Sequence, residues 1–157
     1  MATIISVACP EGCTPITAAP GLKSCFLACL ESFLVDSKKP TTQQEMIARG
    51  KAEKLCGDTG VVERNEMQRF CELFDITFEL VAFDKILTNV SPPEAILIGL
   101  WRYEGDPTKN HCVRFCRRLD EHKFLVMNPL LSGGRCEEWP NTVIADWSGE
   151  TFELRLS

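Results

Sequence analysis

The chain has 157 residues and a net charge of -5, with 45% hydrophobic and 25% charged residues. That length fits one domain able to bury about two-thirds of its unfolded surface, so folding requires neither metal nor disulfide. The acidic balance excludes general nucleic-acid binding, which the small cluster Arg114, Arg117 and Arg118 does not overturn. No apolar run approaches the roughly 18 residues of a membrane span. The Met1-Ala2-Thr3-Ile4 start lacks the basic and apolar regions of a Sec signal peptide. A soluble protein is expected, cytoplasmic or exported by a dedicated secretion system.

Residues 1–20 open on a β-like run, Thr3 to Ala8, then become rich in Pro, Gly and Thr, which predicts a strand or arm and an irregular loop. Pro20 and Gly21 supply a turn and Ser24 is placed as an N-cap. Phe26, Leu27, Leu30, Phe33 and Leu34 then recur at helical spacing, so a helix opens at Cys25 and runs to about Val35, where Asp36-Ser37-Lys38-Lys39-Pro40 stops it. Thr42-Gln43-Gln44-Glu45 has the pattern of a capping box and starts a second helix towards Leu55, weakened at Gly50. After a turn at Gly57-Asp58-Thr59-Gly60, the spacing of Met67, Phe70, Cys71 and Phe74 predicts a third helix ending at Asp75.

Ile76 to Phe83 alternates as a strand, and residues 84–94 form a connection through Pro92-Pro93. Ala95 to Trp101 is nearly continuous in apolar residues, as a central strand buried on both faces would be, and Glu104-Gly105-Asp106-Pro107 turns the chain. His111–Leu119 and Lys123–Asn128 follow as strands joined at Asp120-Glu121, Pro129–Asn141 reads as a loop, and Thr151–Leu156 alternates as a final strand. Helices lead, over 21–75, and strands follow, over 76–157. A single α+β domain is expected, with its N-terminal helices packed on one side of a C-terminal antiparallel sheet.

The nine cysteines cannot all pair within the chain, and reduced thiols are expected. Cys9/Cys13, Cys25/Cys29 and Cys112/Cys116 share a four-residue step, which invites a zinc site. The contexts argue against it, because Cys25/Cys29 lie on a helix and Cys112/Cys116 on one face of a strand. No metal and no cofactor are therefore expected. Within Cys9-Pro10-Glu11-Gly12-Cys13 a disulfide stays open for an exported protein.

Cys25 occupies the first turn of its helix, where the macrodipole and unbonded N–H groups favour thiolate. At about 100° per residue it lies off the apolar face, beside Ser32 and Asp36. There are only two histidines. His122 belongs to a polar hairpin tip and reads as a solvated turn residue. His111 begins a strand. If Leu119 pairs with His122 across a two-residue turn, Asn128 falls opposite Val113, on the face of His111 and one diagonal step away. An Asn oxygen there accepts one ring N–H and turns the other nitrogen into a base. Trp139 and Trp147 are read as packing residues rather than as a shield for that pair.

In order and context these segments resemble the papain-like cysteine peptidases of compact bacterial type, similar to bacteriocin-leader-processing peptidases and plant-pathogen protease effectors. The resemblance rests on Ser24-Cys25-Phe26-Leu27-Ala28-Cys29-Leu30, on Thr59-Gly60 with Glu66-Met67-Gln68-Arg69-Phe70, on Asn110-His111-Cys112-Val113, on Val126-Met127-Asn128-Pro129 and on Asp146-Trp147-Ser148-Gly149. It implies the papain-like fold and a triad of Cys25, His111 and Asn128, with a protein or peptide as substrate and an acyl-enzyme intermediate. The alternatives are a deamidase or acyltransferase using the same triad, or a binding or regulatory protein that keeps the fold without the activity.

The family's oxyanion-hole glutamine is missing upstream of Cys25: Ala18, Ala19 and Pro20 occupy its neighbourhood, and Gln43, Gln44 and Gln68 all follow. One such donor is worth about 3–4 kcal/mol of transition-state stabilisation. The Cys25 backbone N–H supplies one donor, and Thr17, Lys23 and Ser24 are the remaining candidates.

Overall fold

The computed structural model describes residues 5–19, 23–83, 94–103, 110–130 and 135–157. The turn at Pro20-Gly21, the connection through Pro92-Pro93, the turn at Glu104–Pro107, Gly133-Gly134 and the Thr3-Ile4 start of the first strand lie outside them.

The described elements run β1 (Ile5–Ala8), α1 (Cys25–Asp36), α2 (Gln43–Ala52), a 3-10 turn (Arg64–Glu66), α3 (Met67–Glu72), β2 (Ile76–Val81), β3 (Glu94–Leu100), β4 (His111–Arg118), β5 (Lys123–Met127), β6 (Arg135–Pro140), α4 (Val143–Asp146) and β7 (Gly149–Leu156). Seven strands form one sheet in the order β1-β6-β5-β4-β3-β7-β2, with every pairing antiparallel. The domain is α+β, as the order of segments predicts.

Both faces of the sheet are covered, which explains why β3 reads as an unbroken apolar run. Ala95 and Leu97 join a core built with α1, α2 and α3, while Ile96, Ile98 and Leu100 join a second core with Tyr103, Val113, Phe115, Trp139 and the short α4. α1 is the central element. Phe26 to Leu30 and Ser32 to Leu34 are all buried, and each of its leucines contributes about 1.5–3 kcal/mol by leaving water. In α2 the Thr42 side chain accepts from Glu45 N–H at 3.2 Å, one half of the expected capping box. Gly50 is required there rather than merely tolerated: a Cβ would stand 2.5 Å from Cys56 Sγ and 2.6 Å from the Phe70 ring.

Two segments depart from the sequence expectation. Residues 135–140, expected as loop, are β6, and they form the bridge on which β1 pairs. Glu137, Glu138 and Pro140 hide the strand pattern, and burial of Glu137 depends on Asn128, just after β5, a partner that no local rule supplies. Val143–Asp146 forms a single helical turn that the sequence reading did not include.

The β4–β5 hairpin reaches the predicted register by two deviations that cancel. Leu119 N–H donates to Lys123 O at 3.0 Å, so the turn holds three residues and shifts the pairing by one. A bulge between Phe115 and Arg117 shifts it back. Arg114 therefore pairs with Met127, and one further step sets Asn128 against Val113.

Arg114 is no part of a surface basic cluster. It is buried in an ion pair with Asp36, donates to Ser32 Oγ at 2.6 Å and reaches Gly12 O at 3.3 Å. Asp36 also accepts from the backbone N–H and the hydroxyl of Thr14. The N-terminal arm is thus tied to α1 and β4 at once. Ahead of this knot, Cys9 is bonded to Cys136 and Cys13 to Cys116, not to each other. Their Cα atoms, 4.9 and 6.0 Å apart, lie within ordinary disulfide range.

Candidate functional site

α1 packs on β4 along one stripe of its surface, and the contacts along that stripe give the relative placement of the two elements. Ser32 and Asp36 meet Arg114, and one turn nearer the helix start Cys29 Sγ–H donates to Cys112 O at 3.6 Å. Another turn on, the helix begins at Cys25, half-buried, at the end where β4 opens with His111. The strand pleat turns His111 away from Cys112 and towards the face of Val113, while Cys25 packs with the core on the Cys112 face at the same end of β4.

His111 and Asn128 are in direct contact. His111 Nε2 lies 2.7 Å from Asn128 Oδ1, and both residues are buried. Nε2–H is therefore the donor, and the lone pair sits on Nδ1. The Asn128 amide is fixed from several sides: Oδ1 also accepts from Leu130 N–H at 3.1 Å, and Nδ2 donates to Glu137 and to the Tyr103 hydroxyl, the latter at 3.5 Å. Tyr103 stacks on the His111 ring with centroids 4.6 Å apart, and Trp147 meets Tyr103 edge-on at 4.7 Å. Trp139, fully buried, packs on Tyr103 at 6.1 Å and on Trp147 at 5.5 Å. The tryptophans thus act on the His–Asn pair through Tyr103, which was not singled out from the sequence. His122 is exposed at the hairpin tip, as expected.

Burial pushes the Glu137 carboxyl up, against the hydrogen bond from Asn128. A carboxyl raised in the folded state contributes stability that is fully present below its unfolded value and is lost as pH rises through the folded one. Glu137→Gln keeps an oxygen for Asn128 and removes the titration. Urea midpoints measured from about pH 4 to pH 8 should fall with rising pH in the wild type and stay flatter in this variant.

The start of α1 is held by groups far apart in the sequence. Lys23 N–H donates to Thr59 O at 2.9 Å. Gly60, at φ 81°, presses on the helix start, where a Cβ would lie 3.0 Å from Ser24 Cβ and 3.3 Å from Leu27 Cδ1. Ser24 is the N-cap residue but makes no side-chain cap; its hydroxyl donates instead to Gln43 Oε1 at 2.6 Å. Gln43, a downstream glutamine, is buried between the helix start and the arm. Its Oε1 also accepts from Ala19 N–H at 3.2 Å, and Nε2 donates to Thr17 O and Glu31 Oε1, each at 3.1 Å. Ala18 N–H donates to Pro129 O at 2.9 Å, so the arm passes from beside Asn128 to beside Ser24.

Of the oxyanion candidates, the Cys25 N–H opens the helix, where first-turn amides have no intrahelical acceptor. The Ser24 hydroxyl proton is directed at Gln43, and Thr17 and Lys23 are exposed. Cys29 is a packing residue: burial, then the neighbouring Cys112, pushes its thiol well up. Burial raises Cys71 and Cys56 as well. No protein-family model matches the chain, and no curated protein matches it at a significant level.

Proposed function

We propose that the chain is a papain-like cysteine hydrolase acting on peptide or protein amides, with Cys25 as nucleophile, His111 as base and acid, and Asn128 orienting the imidazole. The carrying observation is the buried His111 Nε2–Asn128 Oδ1 contact at 2.7 Å, at the end of β4 where α1 begins with Cys25. With Nε2–H committed to Asn128, Nδ1 takes the Cys25 proton, and the sulfur attacks the substrate carbonyl. The Cys25 N–H faces the developing oxyanion. The imidazolium then protonates the departing amine, leaving a thioester. Water, deprotonated by the same nitrogen, attacks this ester and releases the acid and the thiol. Tyr103, stacked on the ring, keeps bulk water from the His–Asn bond.

A binding protein with this fold is the second reading, and one observation favours it. Both amide hydrogens of Gln43 are spent on Thr17 and Glu31, so this glutamine brings no donor to an oxyanion.

Limiting iodoacetamide, with peptide mapping, tests the proposal. Cys25 is expected to be alkylated ahead of every other cysteine between about pH 4 and pH 7, and to lose that lead in His111→Ala. Burial holds back Cys29, Cys56 and Cys71. Labelling of Cys25 at the common rate, or indifference to His111, rules out the catalytic assignment. Selective labelling without turnover on peptide libraries points to the binding protein.

A further inference from the structure

Four cysteines converge at the root of the N-terminal arm, away from Cys25. We propose that Cys9, Cys13, Cys116 and Cys136, when reduced, form a tetrathiolate zinc site that pins the arm to the sheet.

Four sulfurs about 2.3 Å from one zinc ion stand ~3.8 Å from one another along the edges of a tetrahedron. Cys116 Sγ and Cys136 Sγ, not bonded to each other, are 3.7 Å apart. The sulfurs of Cys13, Cys116 and Cys136 all lie within 4.8 Å of one another, and Cys9 joins the group through Cys136.

The backbone supplies two ligand pairs of different kinds. Cys9 and Cys13 flank the turn Pro10-Glu11-Gly12, closed by Cys13 N–H to Pro10 O at 3.3 Å, a spacing within the usual range for paired zinc thiolates. Cys136 leaves β6 next to the end of β1, and Cys116 is the extra residue at the β4 bulge, which aims its side chain at Cys136 across β5. The bulge that restores the register at Asn128 therefore also presents a ligand.

A zinc tetrathiolate carries two negative charges. Arg135 lines the cleft beside Cys136, with Glu11 of opposite charge on the same cleft, while Arg114, already paired with Asp36, holds the Cys9–Cys13 turn through Gly12 O. The spacing of cysteines in the sequence pairs Cys112 with Cys116. In the fold Cys112 instead turns to Cys29, and the quartet is assembled from the turn after β1, from β4 and from β6.

The two states interconvert by a balanced exchange. Two molecules of a dithiol reductant, one for each disulfide, supply two electrons and two protons apiece and are each oxidised to a disulfide. The four thiols then bind Zn²⁺ and release four protons. Cys25 takes no part, so this site and the hydrolase assignment stand or fall separately.

The test uses the full chain, reduced with a phosphine and purified without chelator. Zinc by mass spectrometry is expected at one ion per chain. Replacement by Co²⁺ should give thiolate-to-cobalt charge-transfer bands and the visible bands of a tetrahedral ion. Cys13→Ser and Cys116→Ser should each lose these bands, and Cys25→Ser should keep them. Because the ligand variants could fail to fold, alkylation of the wild type is the second readout. Bound zinc should protect Cys9, Cys13, Cys116 and Cys136, and a chelator should expose all four together. A reduced, folded wild type that takes up neither ion, or in which the chelator leaves the alkylation of these four unchanged, overturns the site. So does cobalt binding that survives Cys116→Ser and disappears in Cys25→Ser.

Discussion

His111→Ala is expected to lower turnover of a peptide substrate by roughly 10²–10⁴-fold while leaving KM nearly unchanged. In the proposed mechanism the imidazole takes the Cys25 proton and protonates the leaving amine, roles that serve the chemical step rather than the binding of substrate. Asn128→Ala should cost less, because the ring stays stacked on Tyr103 and loses only the acceptor that selects its tautomer. The two substitutions together should cost little more than His111→Ala alone, since orientation has no value without the base. A pair of independent, multiplying losses would separate Asn128 from the mechanism. Turnover that survives His111→Ala at wild-type rate would remove His111 as well.

The largest stability effect is expected at Arg114. Its ion pair with Asp36 is almost fully buried, with side-chain exposures of 5% and 8%. Arg114→Met leaves the Asp36 carboxylate uncompensated in the interior and should cost about 3–5 kcal/mol, measured by urea unfolding. Pairing it with Asp36→Leu should restore a large part of that loss, because two matched apolar side chains carry no desolvation penalty. Restoration will be incomplete, since Asp36 also holds Thr14 through its backbone N–H and hydroxyl. A loss below about 1 kcal/mol for Arg114→Met would mean that the pair is effectively solvated. Limited proteolysis gives a local check: in Arg114→Met the arm loses the guanidinium donor to its Gly12 carbonyl and should be cut between β1 and α1 faster than in the wild type.

Local chemistry was enough to place the elements that matter most. The helix from Cys25 follows from its apolar spacing, the capping pattern places α2, and β-rich segments place β2 to β5 and β7 within a few residues. The contact of His111 with Asn128 was also legible, because side-chain parity along paired strands depends only on register. That register survived by compensation, a three-residue turn against a bulge at Cys116, which the sequence alone does not reveal.

What only the tertiary structure decided are the interactions whose partners are distant in the chain. β6 forms because Glu137 finds Asn128 and β1 finds β6, neither visible within residues 135–140. β7 is inserted between β3 and the edge strand β2, a choice made by burial of Phe152 and Leu154 in the core beneath the helices. Arg114 leaves the surface because Asp36 and Ser32, on another element, meet its charge. Gln43, far downstream of Cys25, comes to the helix start only after α2 folds back against α1. The cysteine quartet likewise joins the turn after β1 to β4 and β6, which no spacing rule connects. Periodicity records how a residue stands relative to its neighbours in the chain, whereas these placements depend on which surfaces bury one another.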